Sequence, residues 1–181
     1  MFLKTVINNC DLNMDEIVNK VANSKLMVFD LEDYYPEENH VTSIDISQWL
    51  FGGFVLKESE FRDHLKNTDW SVYQDKYVAL FCSEDAILPA WAFTLVTVHL
   101  VPYALKVVQG SKENAIIEWY QDVLNKLDYT DYFDKPLILK GCAKKQVPQE
   151  VYTIAIQKLI KVAKSVMFGE ACSAVPLYKR K

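Results

Sequence analysis

The chain is short of positive charge, histidine and glycine, and each shortage removes a class of function. Lys and Arg number 20 against 24 Asp and Glu, giving a net charge of −4 and a pI near 5.4. A nucleic-acid binder favours a basic face, so no nucleic-acid partner is expected. The run Lys179-Arg180-Lys181 reads as a solvated tail. The three histidines, His40, His64 and His99, lie apart from every cysteine, which argues against a cysteine–histidine hydrolase. Five glycines do not assemble a phosphate loop or a dinucleotide fingerprint. Cys-x-x-Cys pairs are absent as well, so there is no local metal fingerprint. No secretory signal is read in Met1-Phe2-Leu3-Lys4, which runs on to polar Asn8-Asn9-Cys10-Asp11. A cytoplasmic location with reduced thiols is therefore expected, and the four dispersed cysteines are structural, catalytic or metal-binding rather than a disulfide framework.

Apolar residues are plentiful. They make up 50% of 181 residues, enough for one domain with a full core and no disulfide or structural metal. Residues 1–13 read as an N-terminal extension and 14–181 as a single α/β domain. Asp15 to Val21 begins a short amphipathic helix. Strands are expected at Leu26–Phe29, Val41–Ile44, Tyr77–Phe81, Leu105–Val108, Leu137–Lys140 and Ser165–Phe168. Helices are expected at Asp45–Phe51, Leu56–Leu65, Pro89 to about Ala104, Asn114–Leu127 and Pro148–Val162, with the two prolines at first helical positions. Trp49, Phe51, Phe54 and Trp91 are expected to fill the core.

One stretch is written twice. Asp69 to Gly110 lies without a gap on Asp128 to Gly169 at an offset of 59 residues, the separation of Pro89 and Pro148 (148 − 89). Tyr73-x-Asp75-Lys76 meets Tyr132-x-Asp134-Lys135, and Leu80 meets Leu139. Each copy reads as turn, strand, loop, helix, strand, glycine. The copies differ outside that pattern. Ile87 to Leu105 is nearly all apolar, whereas its counterpart carries Glu150, Thr153, Gln157, Lys161 and Lys164 at helical spacing. The duplicate, with His99 and Pro102 inside the run, argues against a membrane span. The outer face of the first helix is expected to be covered, and a homodimer is the expected state.

Alternation of strands and helices with short joins implies a mostly parallel sheet flanked by helices, with sites outside the strand carboxyl ends. Cys82 and Cys142, one residue out of register between the copies, and Cys172 after the last strand all fall there. So do Asp30, Glu32 and Asp33, if the first strand is parallel. Both cysteine loops run toward helix starts, which favours thiolates. Three thiolates suit zinc with an open position or an iron–sulfur cluster, with Asp85, Asp30, Asp33 or Glu170 as oxygen ligand. The competing reading makes each cysteine a small packed filler. A third is metal-free thiol chemistry.

The segments Asp30-Leu31-Glu32-Asp33-Tyr34-Tyr35-Pro36, Trp49-Leu50-Phe51, Tyr73 to Ala79, Lys140-Gly141-Cys142 with Val147-Pro148, and Cys172-Ser173-Ala174-Val175-Pro176 form a set. Together they resemble an uncharacterised bacterial family catalogued as domain of unknown function 2480. The resemblance runs from about Met14 to the C-terminus, which makes Met14 the expected natural start and Cys10 incidental. Cys82, Cys142 and Cys172 fall in that family's cysteine-bearing motifs. It implies no assigned activity, but a gene neighbourhood of iron–sulfur assembly, and hence assembly proteins as partners. The expected function is metal or iron–sulfur handling through Cys82, Cys142, Cys172 and Asp85. The alternative, from another class, is a non-catalytic homodimeric interaction protein whose cysteines are only packed.

Overall fold

A computed structural model describes residues 26–141, 144–170 and 173–181. The proposed extension and the helix beginning at Asp15 lie outside these residues. Among the described residues seven strands and four α-helices follow in order: β1 Met27–Asp30, β2 Val41–Asp45, α1 Glu58–Asn67, β3 Tyr77–Phe81, α2 Trp91–Leu100, β4 Lys106–Gln109, α3 Lys112–Lys126, β5 Pro136–Lys140, α4 Gln149–Val162, β6 Ser165–Phe168 and β7 Val175–Lys179. The protein is thus an α/β fold, mostly parallel in its strands.

The strands form two sheets rather than one. β2, β3 and β4 lie side by side in parallel. β1, β5 and β6 form a second parallel set, closed by antiparallel β7. α3 explains the division, because it is apolar on more than one side. Ala115 packs on Val41, Tyr77 and Ala79 of the three-stranded sheet. Tyr120 and Leu124, both fully buried, join Phe29, Leu137 and Leu139 of the four-stranded sheet. A helix inserted between the sheets satisfies both faces at once. Its start is fixed by a capping box in which Ser111 and Asn114 satisfy each other's backbone N–H groups. Its flank is tied down by Tyr120 Oη donating to Leu31 O at 2.7 Å and Trp119 Nε1 to Tyr34 O at 2.9 Å.

The other face of the three-stranded sheet carries α1 and α2. Phe61 and Leu65 from α1, and Ala92, Val96 and Leu100 from α2, meet Val78 and Leu80 there. Tyr77 to Leu80 are all buried, as expected for a strand covered on both faces. Trp49 belongs to this core, but Phe51, Phe54 and Trp91 do not: they are 55%, 62% and 37% exposed. Phe51 and Phe54 flank a tight turn through Gly52-Gly53 closed by a Phe51–Val55 bridge, which turns the rings outward. His99 stacks on Trp70 at 5.4 Å, a packed role.

The two segments offset by 59 residues carry the same scaffold. A 3₁₀ turn opens each, Trp70–Tyr73 and Thr130–Tyr132. The Asp69 carboxylate accepts from Ser71 N, and Asp128 from Thr130 N. Asp75 and Asp134 both take positive φ, 58° and 54°. Asp75 N donates to Tyr103 O, Asp134 N to Val162 O, Gly110 N to Leu80 O and Gly169 N to Leu139 O. The register recurs too, Tyr77 beside Lys106 and Pro136 beside Ser165. Helix starts shift slightly: Pro89 precedes Trp91 by two positions, and Pro148 is the N-cap itself.

Among the described residues no helix is long and apolar enough to cross a membrane. The apolar run after Ile87 yields only the ten residues of α2, because Pro102 stops the helix.

Candidate site at the strand carboxyl ends

β1 is parallel to β5, so Asp30 lies beside Lys140 at one carboxyl edge. Their side chains pair at 3.0 Å, and Asp30 also accepts from Glu32 N at 3.0 Å. That bond to Asp30 raises the Lys140 ammonium above its ordinary range. Asp30 is therefore already committed to Lys140 and to its own turn. Glu170 is more remote from Lys140, at 4.0 Å, and mostly exposed. Glu32 reaches across to the loop after Gly141: its Oε1 accepts from Lys144 N at 2.6 Å and Lys145 N at 3.2 Å. A carboxylate receiving two backbone amides is a strong local anchor. The sequence puts Glu32 on this edge only as one of several acidic residues, whereas in the fold it clamps the loop. Nothing along the chain links residues 32 and 144.

Below this edge, Val147, Gln149, Tyr152 and Phe168 line a hollow of about 430 Å³. Another, of about 350 Å³, is lined by Tyr35, Glu37, Lys112 and Lys145 among others. Lys112 stands in the first turn of α3, directly after β4, and Lys145 comes after β5. Asn39 and Val41, at the amino end of β2, line the same hollow, and Trp119 bridges Tyr34 O and the Tyr77 ring, so the carboxyl edge of the four-stranded sheet adjoins the amino end of the three-stranded one.

The second edge belongs to the three-stranded sheet. Asp45 at the end of β2 accepts from Ser47 N at 3.0 Å and from Ser83 N at 3.1 Å, and the two serine hydroxyls lie 3.2 Å apart. Burial raises the Asp45 carboxyl, but the bonds from Ser83 and Ser47 outweigh it and hold the group below its ordinary range. Cys82 sits beside this turn, half-buried against the apolar cluster, with Sγ donating to Glu84 O at 3.4 Å. It is not in a disulfide. α2 begins only at Trp91, so Cys82 is not at a helix N-terminus. The dipole argument for its thiolate does not hold, since that field fades beyond the first turn. Asp85 is exposed and lines a shallow depression with Phe54, Val55, Leu56, Ala86 and Ile87.

Cys142 and Cys172 lie outside the described residues. The strands before them, β5 and β6, are hydrogen-bonded neighbours, whereas Cys82 comes after a strand of the other sheet. Among the described residues no three His, Cys, Asp or Glu side chains are grouped to hold a metal ion.

No curated protein and no solved structure matches the chain. A family model does match, over residues 15–180, which is nearly all of it. The chain belongs to the family described as Protein of unknown function (DUF2480).

Proposed function

We propose that the protein handles an iron–sulfur cluster or a soft metal ion through thiolates at the carboxyl edge of the four-stranded sheet, as an accessory to cluster assembly. The observation that carries this reading is the adjacency of β5 and β6, whose ends lead in sequence to Cys142 and Cys172. Neighbouring parallel strands deliver their carboxyl-terminal loops to one edge, and thiolates are the ligands that clusters and zinc require. Cys82 and Asp85 follow the carboxyl end of β3, against the α1–α2 cluster and away from this edge, so the reading rests on Cys142 and Cys172. The test is iron, sulfide and zinc content with an absorption spectrum, on protein purified without oxygen. The reading predicts a stoichiometric group in the wild type and its loss in Cys142→Ser and Cys172→Ser. Unchanged content in both variants would end it.

A second reading has one observation of its own. Cys82 is packed against apolar side chains and bonded to a local carbonyl, as a filler thiol would be. On that reading the protein is a non-catalytic interaction protein. Its cysteines would resist alkylation until unfolding, and added metal would not change their rate.

A further inference from the structure

β4 and β6 hold equivalent places in the two offset units, and their outer edges are treated differently. The edge of β6 is covered: β7 pairs with it antiparallel from Ser165–Lys179 to Phe168–Val175. Arg180 then closes the corner, with Nη2 donating to Val162 O at 3.0 Å. The edge of β4 has no strand beside it among the described residues, since the order is β2-β3-β4. A bare edge is a template for another strand, and proteins usually guard it with Pro or a free lysine. β4 does neither. It reads Lys106-Val107-Val108-Gln109, and Lys106 Nζ is drawn inward to Glu118 at 2.7 Å and Asp122 at 3.0 Å.

The surface beside this edge is unguarded as well: Val98 lies on α2, Val101 is its C-cap and Leu105 stands beyond the helix, directly before β4. Val98, Val101 and Leu105 are 63%, 64% and 58% exposed, and the stripe they form ends directly before β4. The counterparts on the α4 side are Gln157, Ile160 and Lys164. The guanidinium of Arg62 lies 5.8 Å from the Trp91 ring at the far end of the stripe, beside a hollow of about 190 Å³. Gln157 and Lys164 thus stand where the first unit has Val98 and Leu105, and Ile160 is less exposed than Val101, 37% against 64%, so the first unit presents an apolar face that is normally covered.

We propose that a second copy of this chain covers it. β4 pairs antiparallel with β4 of that copy, so that two three-stranded sheets become one of six strands. The stripe Val98, Val101 and Leu105 packs across the same two-fold axis. Self-pairing fits the sequence of the edge. A two-fold between Val107 and Val108 sets each valine opposite a valine and each Lys106 opposite Gln109, with no like charges opposed. It also matches what the chain does at β6, where an antiparallel strand closes the equivalent edge.

The test is sedimentation equilibrium of the full chain and of the Val98→Glu/Leu105→Glu double variant, with circular dichroism as the check on folding. The wild type is expected to be a dimer. The variant should be folded and bind itself ~30-fold or more weakly, the effect of losing one central apolar contact pair. Should the double variant fail to fold, Val98→Ser and Leu105→Ser serve, with the same direction and a smaller loss. A wild type that stays monomeric, including one whose β4 edge is covered by its own residues 1–25, overturns the proposal. So does a dimer that these folded variants leave intact.

Discussion

The unit β3–α2–β4 and the unit β5–α4–β6 share their turns, positive-φ aspartates, closing glycines and strand register, yet they diverge wherever a side chain leaves the shared scaffold. The central strands are buried in both, at 77–80 and 137–139, but among the described residues the first unit is open at its edge and apolar on its outer helix. The second is closed at its edge by β7 and polar on its outer helix. Backbone-fixing residues are the same in both places, because Asp69 and Asp128 or Asp75 and Asp134 each solve a local geometric problem. Surface residues answer to what lies against them. The difference between the units is therefore a record of their surroundings.

The largest effects should be equal in the two units. Leu80→Ala and Leu139→Ala each remove a side chain that is 1% exposed, at the same point of equivalent strands. Each should cost about 2–5 kcal/mol of unfolding free energy in urea titrations. A loss confined to one of them would break the equivalence of the two cores.

Gly110 and Gly169 sharpen the comparison. Both take positive φ, 143° and 110°, so alanine strains either one. A Cβ at Gly110 would also meet Asn114 Oδ1 at 2.6 Å, inside the capping box of α3, whereas the nearest atom at Gly169 is Ser173 O at 3.5 Å. Gly110→Ala is expected to cost about 1–2 kcal/mol more than Gly169→Ala, because it disturbs a helix cap as well as the backbone. Thermal denaturation of the pair reads this directly.

Acid should act mainly through the first unit. Tyr77 Oη donates to Asp122 at 2.8 Å and Lys106 Nζ approaches the same carboxylate, while their counterparts Pro136 and Ser165 have no such charge. Burial raises the Asp122 carboxyl, but the bonds from Lys106 and Tyr77 outweigh it and hold it below the ordinary range. For Tyr77, burial first and then the bond to Asp122 push the phenol up to about 12. A depressed carboxyl stabilises the fold above its unfolded value, near ~4, and that stability is lost as pH falls through the folded value. Asp122→Asn should cost about 1–2 kcal/mol at neutral pH, discounted for its partial exposure, and should flatten the acid limb of a stability–pH curve. An unchanged acid limb would show that the cluster is not what links α3 to β4.

The smallest effect tests the loop after β5. Glu32→Gln weakens the anchor on Lys144 N and Lys145 N while keeping an acceptor, so a stability loss of about 1 kcal/mol is expected. Amide exchange at these two residues should rise in the variant.

Much of the fold was legible along the chain. Strands such as Tyr77–Phe81 and Ser165–Phe168 stand where apolar runs bounded by turn residues put them, and α4 begins after Pro148. The offset of 59 makes the two units visible without any knowledge of contacts. What stayed hidden depends on long-range placement. The split into two sheets follows from α3 burying residues on opposite sides, which periodicity alone reads as an ordinary amphipathic helix. β7 was missed because Val175-Pro176-Leu177 is mostly exposed and carries a proline, permitted there only at an edge. Phe51 and Phe54 point outward because of a turn, not because of their hydrophobicity. Of the candidate site, the strand-end positions of Cys82 and Asp85 were legible. That Cys82 belongs to the other sheet from β5 and β6 was not, since strand order is a property of the packed molecule.

The most direct test of the contrast between the two units is native-state amide exchange of the wild-type chain at rising protein concentration, comparing β4 with β6. Protection across Lys106–Gln109 should climb with concentration, while that of Ser165–Phe168, already paired with β7, should stay constant. Equal, concentration-independent protection of both strands would contradict the account.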